Sequence, residues 1–452
     1  MKVLKFGGTS MADEGTWSKI LSIISNSPGS LIVVSAISKA TNTLLEAISM
    51  AQTGRFDEAV NLSKLLKERH ERIIQNFFIN HKQQDKVKII NEAQQWIDEN
   101  FTLLDEYLLS INKLGEVNKR TIDVISSIGE RLSSCLLAAC GRAIGIDTVY
   151  LDARTVIHTD DNFGKAKPDH KKIKQESAFL NTLLVEGKTP IMGGFYGSSP
   201  TGEITTLGRG GSDYSASLIA GALDAGSIEI WTDVNGMYSC DPRYVAEAKL
   251  IPEIGFEEAA ELAYFGARVL HPATIQPAVE KNIPVYIKNT FSPEQEGTKI
   301  CSNSSFDGDI RAIAFKQGIT IVTINSSRML MAYGFLARVF STFEKYKVPV
   351  DLVTTSEVSI SMTVDSTDNL DLVLDELQEY GDVDRSNNQS LICLVGRNFN
   401  QSSGIAVKVF DAISGIPVRM ISQGSSDINL SLVVDNDLVI KAVQALHEKF
   451  FY

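Results

Sequence analysis

The chain lacks the features that mark secreted, disulfide-stapled and membrane-embedded proteins. Its five cysteines are odd in number and show no CxxC spacing, which disfavours both a disulfide framework and a zinc site. No apolar run approaches the roughly 20 residues that a membrane helix needs. The first residues carry no secretory hydrophobic segment either. We therefore expect a cytoplasmic protein that does not associate with a membrane.

An excess of positive charge is also absent. The 43 Lys and Arg residues against 55 Asp and Glu residues give a formal net charge of −12. The chain therefore has no long-range attraction to nucleic acid, and we expect no nucleic-acid partner. With 452 residues and 44% hydrophobic composition, the chain is typical of globular proteins with two to four domains, because single cores stop growing at roughly 250–300 residues.

Strand-like and helix-like segments alternate along the first 290 residues. Predicted strands fall at residues 2–6, 31–34, 148–151, 189–192 and 227–231, and predicted helices at residues 17–24, 133–143 and 215–222. This alternation predicts an α/β fold with a mostly parallel sheet between layers of helices. Residues 43–114 show helical periodicity without strands and indicate a helical insertion.

An internal repeat follows a turn-rich boundary at residues 289–309. The segment GFLARVF at 334–340 aligns with GIAVKVF at 404–410. Each copy predicts strand, helix, strand, strand and helix, which closes as a ferredoxin-like antiparallel sheet backed by helices. We assign four parts to the chain: an α/β domain at 1–290, a linker at 291–311, and the two repeats at 312–385 and 386–452.

Three glycine-rich segments adjoin predicted strands, namely KFGGTS at 5–10, GGFYG at 193–197 and LGRGGSD at 207–213. Paired glycines let backbone N–H groups approach an anion, and a following helix offers its positive end. Lys5 and Arg209 add cations, and the planar guanidinium suits a carboxylate or a phosphate. Taken singly, the first segment is an ordinary strand–helix turn and Asp213 is a helix N-cap. Together they favour a phosphate site.

A fourth segment, WTDVNGMY at 231–238, continues to Asp241-Pro242-Arg243. Its Asn-Gly pair is typical of a plain turn. In this context Tyr238 is placed to pack against a base, and Arg243 to reach phosphate oxygens.

The motifs KFGGTS, GRGGSD and WTDVNG, in this order, resemble those of the aspartokinases in the amino-acid kinase family. The two repeats resemble the pair of ACT domains in their regulatory half. Since the chain stops after the second repeat, it is similar to the monofunctional enzymes, without a homoserine dehydrogenase portion. The similarity extends over essentially the whole chain.

The resemblance implies transfer of the ATP γ-phosphoryl group to the side-chain carboxylate of L-aspartate, the first step of lysine, threonine and methionine biosynthesis. Magnesium would be carried by ATP and not by protein ligands. A carboxylate is already ionised at neutral pH, so the reaction needs no general base. It needs cancellation of charge between two anions and in-line positioning.

The family match also implies residue roles. Lys5 would stabilise the transferring phosphoryl group, and Asp213 would orient Lys5 or the magnesium–nucleotide complex. Glu130 would pair with the aspartate ammonium, and Arg209 with its α-carboxylate. The remaining aspartate contacts would be Ser35, Thr41, Phe195 and Ser212. The ATP contacts would be Lys5, Gly7, Gly8, Ser10, Thr232, Asp233, Tyr238, Arg243 and Arg268. At position 268 the family commonly has Lys; Arg keeps the charge but changes reach and geometry.

In the first repeat, the segment at 350–357 resembles the effector site of lysine-sensitive aspartokinases. The implied effector residues are Met329, Val350, Asp351, Thr355, Ser356 and Glu357. The alternative for Asp351 and Glu357 is that they are solvated loop carboxylates. An effector inhibits only through different affinities for two states. Sheets formed between the repeats of two chains would supply such states, so we expect a homodimer or a larger even assembly.

Two other functions compete with this prediction. The first is a related kinase that acts on glutamate, N-acetylglutamate, carbamate or a nucleotide, which the combination of motifs and repeats disfavours. The second is a catalytically silent amino-acid sensor that uses only the repeats. Retention of Lys5, Glu130, Arg209 and Asp213 argues against a silent sensor.

Overall fold

The computed structural model of the chain describes residues 1–81, 86–266, 270–305, 308–330, 332–424 and 426–452. Its strands are β1 (Lys2–Phe6), β2 (Ser30–Val34), β3 (Thr148–Leu151), β4 (Thr189–Gly193), β5 (Tyr196–Ser198), β6 (Ile204–Thr206), β7 (Ser227–Thr232), β8 (Glu253–Gly255), β9 (Val285–Asn289), β10 (Thr298–Cys301), β11 (Ile310–Asn325), β12 (Val353–Thr355), β13 (Ser359–Val364), β14 (Asp382–Gly396), β15 (Val418–Gln423) and β16 (Asn429–Asp435).

Its α-helices are α1 (Glu14–Ser25), α2 (Ala40–Gln52), α3 (Phe56–Asn80), α4 (Lys86–Leu114), α5 (Lys119–Ser126), α6 (Ile128–Ala143), α7 (His170–Glu176), α8 (Leu180–Val185), α9 (Gly211–Ala222), α10 (Phe256–Phe265), α11 (Gln276–Glu280), α12 (Phe335–Lys345), α13 (Leu370–Leu377), α14 (Ile405–Ala412) and α15 (Val439–Phe451). Within the described part of the chain, no helix combines the length and the apolar character that crossing a membrane requires.

The chain divides into two compact units. The first comprises residues 1–237, 252–256 and 269–304, and the second comprises residues 238–251, 257–268 and 305–452. Each unit has its own sheet.

The first unit is built on an eight-stranded sheet with the order β3-β4-β2-β1-β7-β9-β10-β8. Its strands pair in parallel except at the β9–β10 contact. Every residue of β2 is buried, which explains why this strand is a continuous apolar run. The mostly parallel sheet predicted from the sequence is confirmed. Because β1, β2 and β7 are parallel neighbours, the loops after them meet at one edge of the sheet.

The predicted helical insertion is present as α2, α3 and α4. The three helices contact one another, and α3 and α4 also contact α6. Their shared core contains Phe77, Phe101 and Leu104, which have no more than 2% of their surface exposed.

Two helices begin earlier than predicted. Helix α6 starts at Ile128 and not at residue 133. The sequence did not reveal this start, because almost every residue in the helix is buried and the polar face that marks an amphipathic helix is missing. Helix α9 starts at Gly211 and not at residue 215. The glycines of this segment indicated a turn in the sequence, but Gly211 is already helical, and Gly210, with φ of 71°, is the N-cap.

The second unit is built on a six-stranded antiparallel sheet with the order β12-β13-β11-β14-β16-β15. The first repeat supplies β11 to β13 with α12 and α13, and the second supplies β14 to β16 with α14 and α15. Strands β11 and β14 pair at the centre, and β12 and β15 form the edges. The matched glycines Gly334 and Gly404 both precede a helix with positive φ, which is why the repeat retains them.

Two segments that precede residue 290 also belong to this second unit. Ser239 Oγ lies 2.9 Å from His447 Nε2 of α15. Glu258 of α10 is 2% exposed and lies 3.3 Å from the guanidinium of Arg311 on β11. Burying a carboxylate is favourable only where a partner compensates the lost hydration, so this pair holds α10 against the sheet.

Candidate functional site

A cleft of about 630 Å³ lies in the first unit, where the loops after β1 and β2 meet. It is lined by most of the residues that the sequence placed at a substrate site. These are Lys5, Gly8, Ser35, Thr41, Glu130, Phe195, Arg209, Ser212 and Asp213. The cleft thus gathers the first and third glycine-rich segments, together with Phe195 of the second.

Lys5 and Asp213 form an ion pair in this cleft. Lys5 occupies the last but one position of β1, and its Nζ atom lies 2.7 Å from Oδ1 of Asp213. Asp213 stands in the first turn of α9, where the helix dipole stabilises a negative charge. It is not the N-cap, the alternative that the sequence left open, because Gly210 takes that position.

Two glycine-rich segments pack so closely that no side chain would fit between them. A Cβ atom on Gly194 would lie 2.6 Å from the Cα atom of Ser212. A Cβ atom on Gly211 would lie 2.8 Å from Cδ2 of Phe195. Phe195 itself has φ of 74°, an uncommon conformation for a bulky residue, and its backbone N–H donates to Ser215 Oγ. These contacts hold the start of α9 against the cleft wall.

Glu130 is a buried carboxylate with an unused oxygen. It is 4% exposed, and its Oε2 atom accepts no hydrogen bond among the described residues. Burial raises the pKa of Glu130 to about 8, although a backbone hydrogen bond from Ala36 and the charge of Lys5 oppose the shift. The sequence placed Glu130 in a turn. The structure places it in the first turn of α6, because that helix begins at Ile128.

Arg209 is an exposed cation of the cleft, as is Lys39. It is flanked by Gly208 and Gly210, with φ of 80° and 71°, so this loop adopts a backbone that side-chain-bearing residues rarely take. Thr41, the second residue of α2, and Ser35, directly after β2, line the same cleft. The six predicted aspartate contacts therefore all lie in one place.

Unlike the predicted aspartate contacts, the predicted nucleotide contacts do not all line the cleft. Lys5 and Gly8 line the cleft, while Gly7 donates its N–H to the Trp231 carbonyl oxygen at 3.0 Å. Ser10 is fully buried, and its hydroxyl lies 2.8 Å from that of Thr290. This contact gives Ser10 a role in fixing the loop.

Thr232 and Asp233 follow one another where β7 ends. The Thr232 hydroxyl donates to Oδ1 of Asp233 at 3.1 Å. Tyr238 and Arg243 belong to the second unit. There Asp241 accepts three hydrogen bonds from the Arg243 guanidinium, which lowers the pKa of the Asp241 carboxyl. Arg268 lies outside the described residues. The nucleotide roles of these residues stay predictions.

Asp123, which was not predicted from the sequence, also lines the cleft. Asp123 is 1% exposed and accepts hydrogen bonds from Gly164 and Thr206. The one signal in the sequence is a carboxylate within an apolar helical stretch that leads to Glu130. Lys39, another lining residue, has φ of 66° at the start of α2, which sequence patterns do not reveal.

The predicted effector residues lie in the first repeat, inside the second unit. Met329 and Val350 pack against the same apolar core. Ser356 and Glu357 lie in the exposed turn between β12 and β13, where the Ser356 hydroxyl accepts from the Ser359 N–H at 3.1 Å. Asp351 accepts a short hydrogen bond from the Tyr264 hydroxyl of α10.

Comparison with known proteins gives matches to both parts of the chain. The model of the amino acid kinase family matches residues 1–289, and the ACT domain model matches residues 322–377 and 392–450. The chain therefore belongs to the amino acid kinase family and, as its full-length relatives establish, to the aspartokinases within it. The resemblance seen in the sequence is confirmed.

Lysine-sensitive aspartokinase 3 of Escherichia coli is 36% identical over an alignment of 463 positions, which covers 99% of each chain. Aspartokinase 3, chloroplastic, of Arabidopsis thaliana is 37% identical and is covered over 81% of its length. The crystal structure of E. coli aspartokinase III with lysine and aspartate matches with a TM-score of 0.84 at 34% identity, covering both chains completely. A second structure of that enzyme, with aspartate and ADP, gives a TM-score of 0.82.

Proposed function

We propose that the protein transfers the γ-phosphoryl group of ATP to the β-carboxylate of L-aspartate and forms 4-phospho-L-aspartate. The observation that carries the proposal is the composition of the cleft. A buried Lys5–Asp213 pair, an exposed Arg209 and a buried Glu130 with a free oxygen line one cavity. They complement a ligand with two anionic groups and one ammonium group.

The charge of each group determines which part of the substrate it binds. Arg209 holds the α-carboxylate through its planar fork, and Glu130 accepts hydrogen bonds from the ammonium group. Ser35, Thr41, Phe195 and Ser212 complete the pocket around the substrate. The β-carboxylate is then free to face the nucleotide, and it is already ionised at neutral pH. No residue has to remove a proton.

Lys5 supplies the positive charge that phosphoryl transfer requires. As the two anions approach, negative charge builds up on the transferring group, and a cation held in a partly buried site stabilises it more than water does. Asp213 keeps Lys5 in position through the ion pair at 2.7 Å. Magnesium would reach the site with ATP and neutralise phosphate charge. Asp213 is the carboxylate beside Lys5 that fits such an ion, since Mg²⁺ in kinase sites takes one or two carboxylates plus phosphates.

We further propose that lysine inhibits the enzyme through the first repeat, with Asp351 and Glu357 binding its amino groups. A relative that is covered over 99% of its length carries lysine sensitivity in its name, and the structure of E. coli aspartokinase III was solved with lysine. We assign residues 1–290 to catalysis, 291–311 to a linker, and 312–385 and 386–452 to the two regulatory domains. An even homo-oligomer paired through these domains is part of the proposal, and the cytoplasmic location stays a prediction.

The test is a hydroxamate assay on the full chain. Hydroxylamine traps an acyl phosphate, so aspartate, ATP and magnesium together should yield aspartyl hydroxamate, and lysine should reduce the rate. Glutamate, N-acetylglutamate, carbamate and a nucleoside monophosphate are offered in parallel as acceptors, with formation of ADP as the readout. Faster turnover with one of these would reassign the substrate. Lysine binding without any turnover would identify a silent sensor and overturn the proposal.

A further inference from the structure

Asp123 is a buried carboxylate for which the chemistry above has no use. Its Oδ2 atom accepts the backbone N–H groups of Gly164 and Thr206, both at 2.9 Å. Its Oδ1 atom accepts the Thr206 hydroxyl at 2.7 Å. Burial raises the pKa of Asp123, while these three hydrogen bonds favour the ionised form. Fixed donors thus occupy three of the roughly four acceptor positions of the carboxylate, two on Oδ2 and one on Oδ1.

The three donors belong to segments that border the cleft. Thr206 is the last residue of β6, and one residue, Leu207, separates it from the Gly208–Arg209–Gly210 loop. Gly164 packs against that same loop, since a Cβ atom on Gly208 would lie 3.5 Å from the Gly164 carbonyl oxygen. Asp123 therefore fixes both the strand that delivers Arg209 and the loop that supports it.

Asp123 also lies close to Glu130, in this case along the chain. It lies on α5, which ends at Ser126, and α6 begins at Ile128 with Glu130 in its first turn. The Ser127 backbone N–H donates to the Asp123 carbonyl oxygen at 3.1 Å, so the two helices join without a flexible connection. A residue on α5 that binds β6 therefore ties the segment carrying Glu130 to the segment carrying Arg209.

We propose that Asp123 is a positioning residue that sets the spacing between Arg209 and Glu130, and with it the fit for the amino and α-carboxylate groups of the substrate. This inference rests on the proposed binding roles of Arg209 and Glu130. It goes beyond them by naming the residue that holds the two groups at the correct separation. Asp123 itself does not touch the substrate.

The three hydrogen bonds that Asp123 accepts form a clamp, and two substitutions of Asp123 separate its positioning role from an effect of its charge. In D123N, the amide oxygen still accepts from both backbone N–H groups, and the amide NH₂ donates to the Thr206 hydroxyl, which reverses its own direction. All three contacts survive without the charge. In D123A, all three are lost, and the two donors of Thr206, which is 3% exposed, are left buried. We expect D123A to raise KM for aspartate at least about tenfold, the effect of losing one to two net hydrogen bonds. KM for ATP and kcat at saturating aspartate should stay within about threefold.

The matched control is D169A. Asp169 caps α7 in the same unit by accepting the Lys172 N–H at 3.0 Å, and it does not line the cleft. Its loss should lower Tm, as loss of a helix cap does, and leave KM for aspartate unchanged. The expected pattern is a raised KM in D123A, a KM near wild type in D123N, and no change in D169A.

Two results would overturn the inference. One is a D123A enzyme with a lowered Tm but an unchanged KM for aspartate, which would make Asp123 a purely structural residue. The other is a D123N enzyme as impaired as D123A, which would show that the charge acts and not the clamp. Should D123A fail to fold, T206V removes the hydroxyl donor alone and should raise KM for aspartate severalfold, with T206S restoring it. An unchanged KM in T206V would count against the clamp. Failure of wild-type protein to phosphorylate aspartate would refute the proposed function instead, so the two failures remain distinguishable.

Discussion

Lys5 Nζ and Asp213 Oδ1 lie 2.7 Å apart, and the two side chains expose only 10% and 14% of their surfaces. Lys5 comes from the central strand β1, and Asp213 comes from the first turn of α9, so the ion pair joins the two elements that frame the cleft. A lysine held in this way would need little reorganisation in the proposed phosphoryl transfer. Preorganised charge of this kind is the largest single contribution in many enzymes.

The first prediction concerns Lys5. K5A should reduce kcat by about 100-fold or more, the usual effect of removing one preorganised charge from a transition state. Its Tm should also fall, because Asp213 then stays largely buried without its ion-pair partner. The control is K2A, since Lys2 opens the same strand, pairs with Glu229 at 3.1 Å and has a half-exposed side chain. Steady-state kinetics on both variants checks the prediction, and a K5A enzyme that keeps normal kcat would remove Lys5 from the mechanism.

The second prediction is a pH dependence of aspartate binding. With a pKa of about 8 in the free enzyme, Glu130 is largely protonated at neutral pH, and binding of an ammonium group favours the carboxylate. Affinity for aspartate should therefore rise as the pH increases towards 8, and binding at pH 7 should release protons. Calorimetry in buffers of different ionisation enthalpy measures the released protons. E130Q should bind more weakly and release none through this group.

The third prediction follows from the same pKa and concerns stability without substrate. Since the folded state raises the pKa of Glu130 from an ordinary value of 4.5 to about 8, the folded state binds more protons than the unfolded state between these values. The contribution of Glu130 to the free energy of unfolding is therefore full below pH 4.5 and declines as the pH rises to 8. Chemical unfolding across this range should show E130Q becoming more stable relative to wild type as the pH rises. A constant difference between them would contradict the assigned pKa.

The fourth prediction concerns Arg209. R209A should raise KM for aspartate by about 10- to 100-fold, because hydrogen bonds to charged groups contribute about 1.5–3 kcal/mol. R209K should recover part of this loss, since it keeps the charge but not the planar fork. Arg120 provides the control. It is exposed, pairs with Glu203 near β6 and does not line the cleft. Equal effects of R209A and R120A would point to a general loss of positive charge.

The fifth prediction concerns regulation. The Tyr264 hydroxyl donates to Asp351, one of the proposed lysine ligands. Lysine would have to displace this donor, so Y264F should lower the lysine concentration needed for half-inhibition. D351N should raise it. Y346F is the matched control, since the Tyr346 hydroxyl donates to another carboxylate of the same unit, Glu376, at 2.9 Å. Unchanged lysine inhibition in Y264F would show that the contact does not compete with the effector.

The parts of the fold that follow from local sequence were predictable. Strand β2 is a continuous apolar run because both of its faces are buried, and the second unit repeats its glycine because each copy needs a positive φ before its helix. The six residues that the family match implies for aspartate all line one cleft, and their binding roles stay predictions.

What the sequence did not reveal depends on contacts between distant residues. The start of α6 is hidden because the helix is buried on nearly all sides and shows no polar face. Asp123 gains its significance from donors 41 and 83 positions away. Helix α10 belongs to the second unit, where the buried Glu258–Arg311 pair holds it, and no local sequence pattern predicts this pair.

The central claim is that separate cationic groups in one cleft hold two mutually repelling anions for reaction. The most direct test is a crystal structure of the full chain with aspartate and a non-hydrolysable ATP analogue. We predict the α-carboxylate on Arg209, the ammonium group on Glu130, and Lys5 within hydrogen-bond distance of the terminal phosphate. A structure in which aspartate binds outside this cleft, or in which Lys5 stays bound to Asp213 alone and far from the phosphates, would contradict the account.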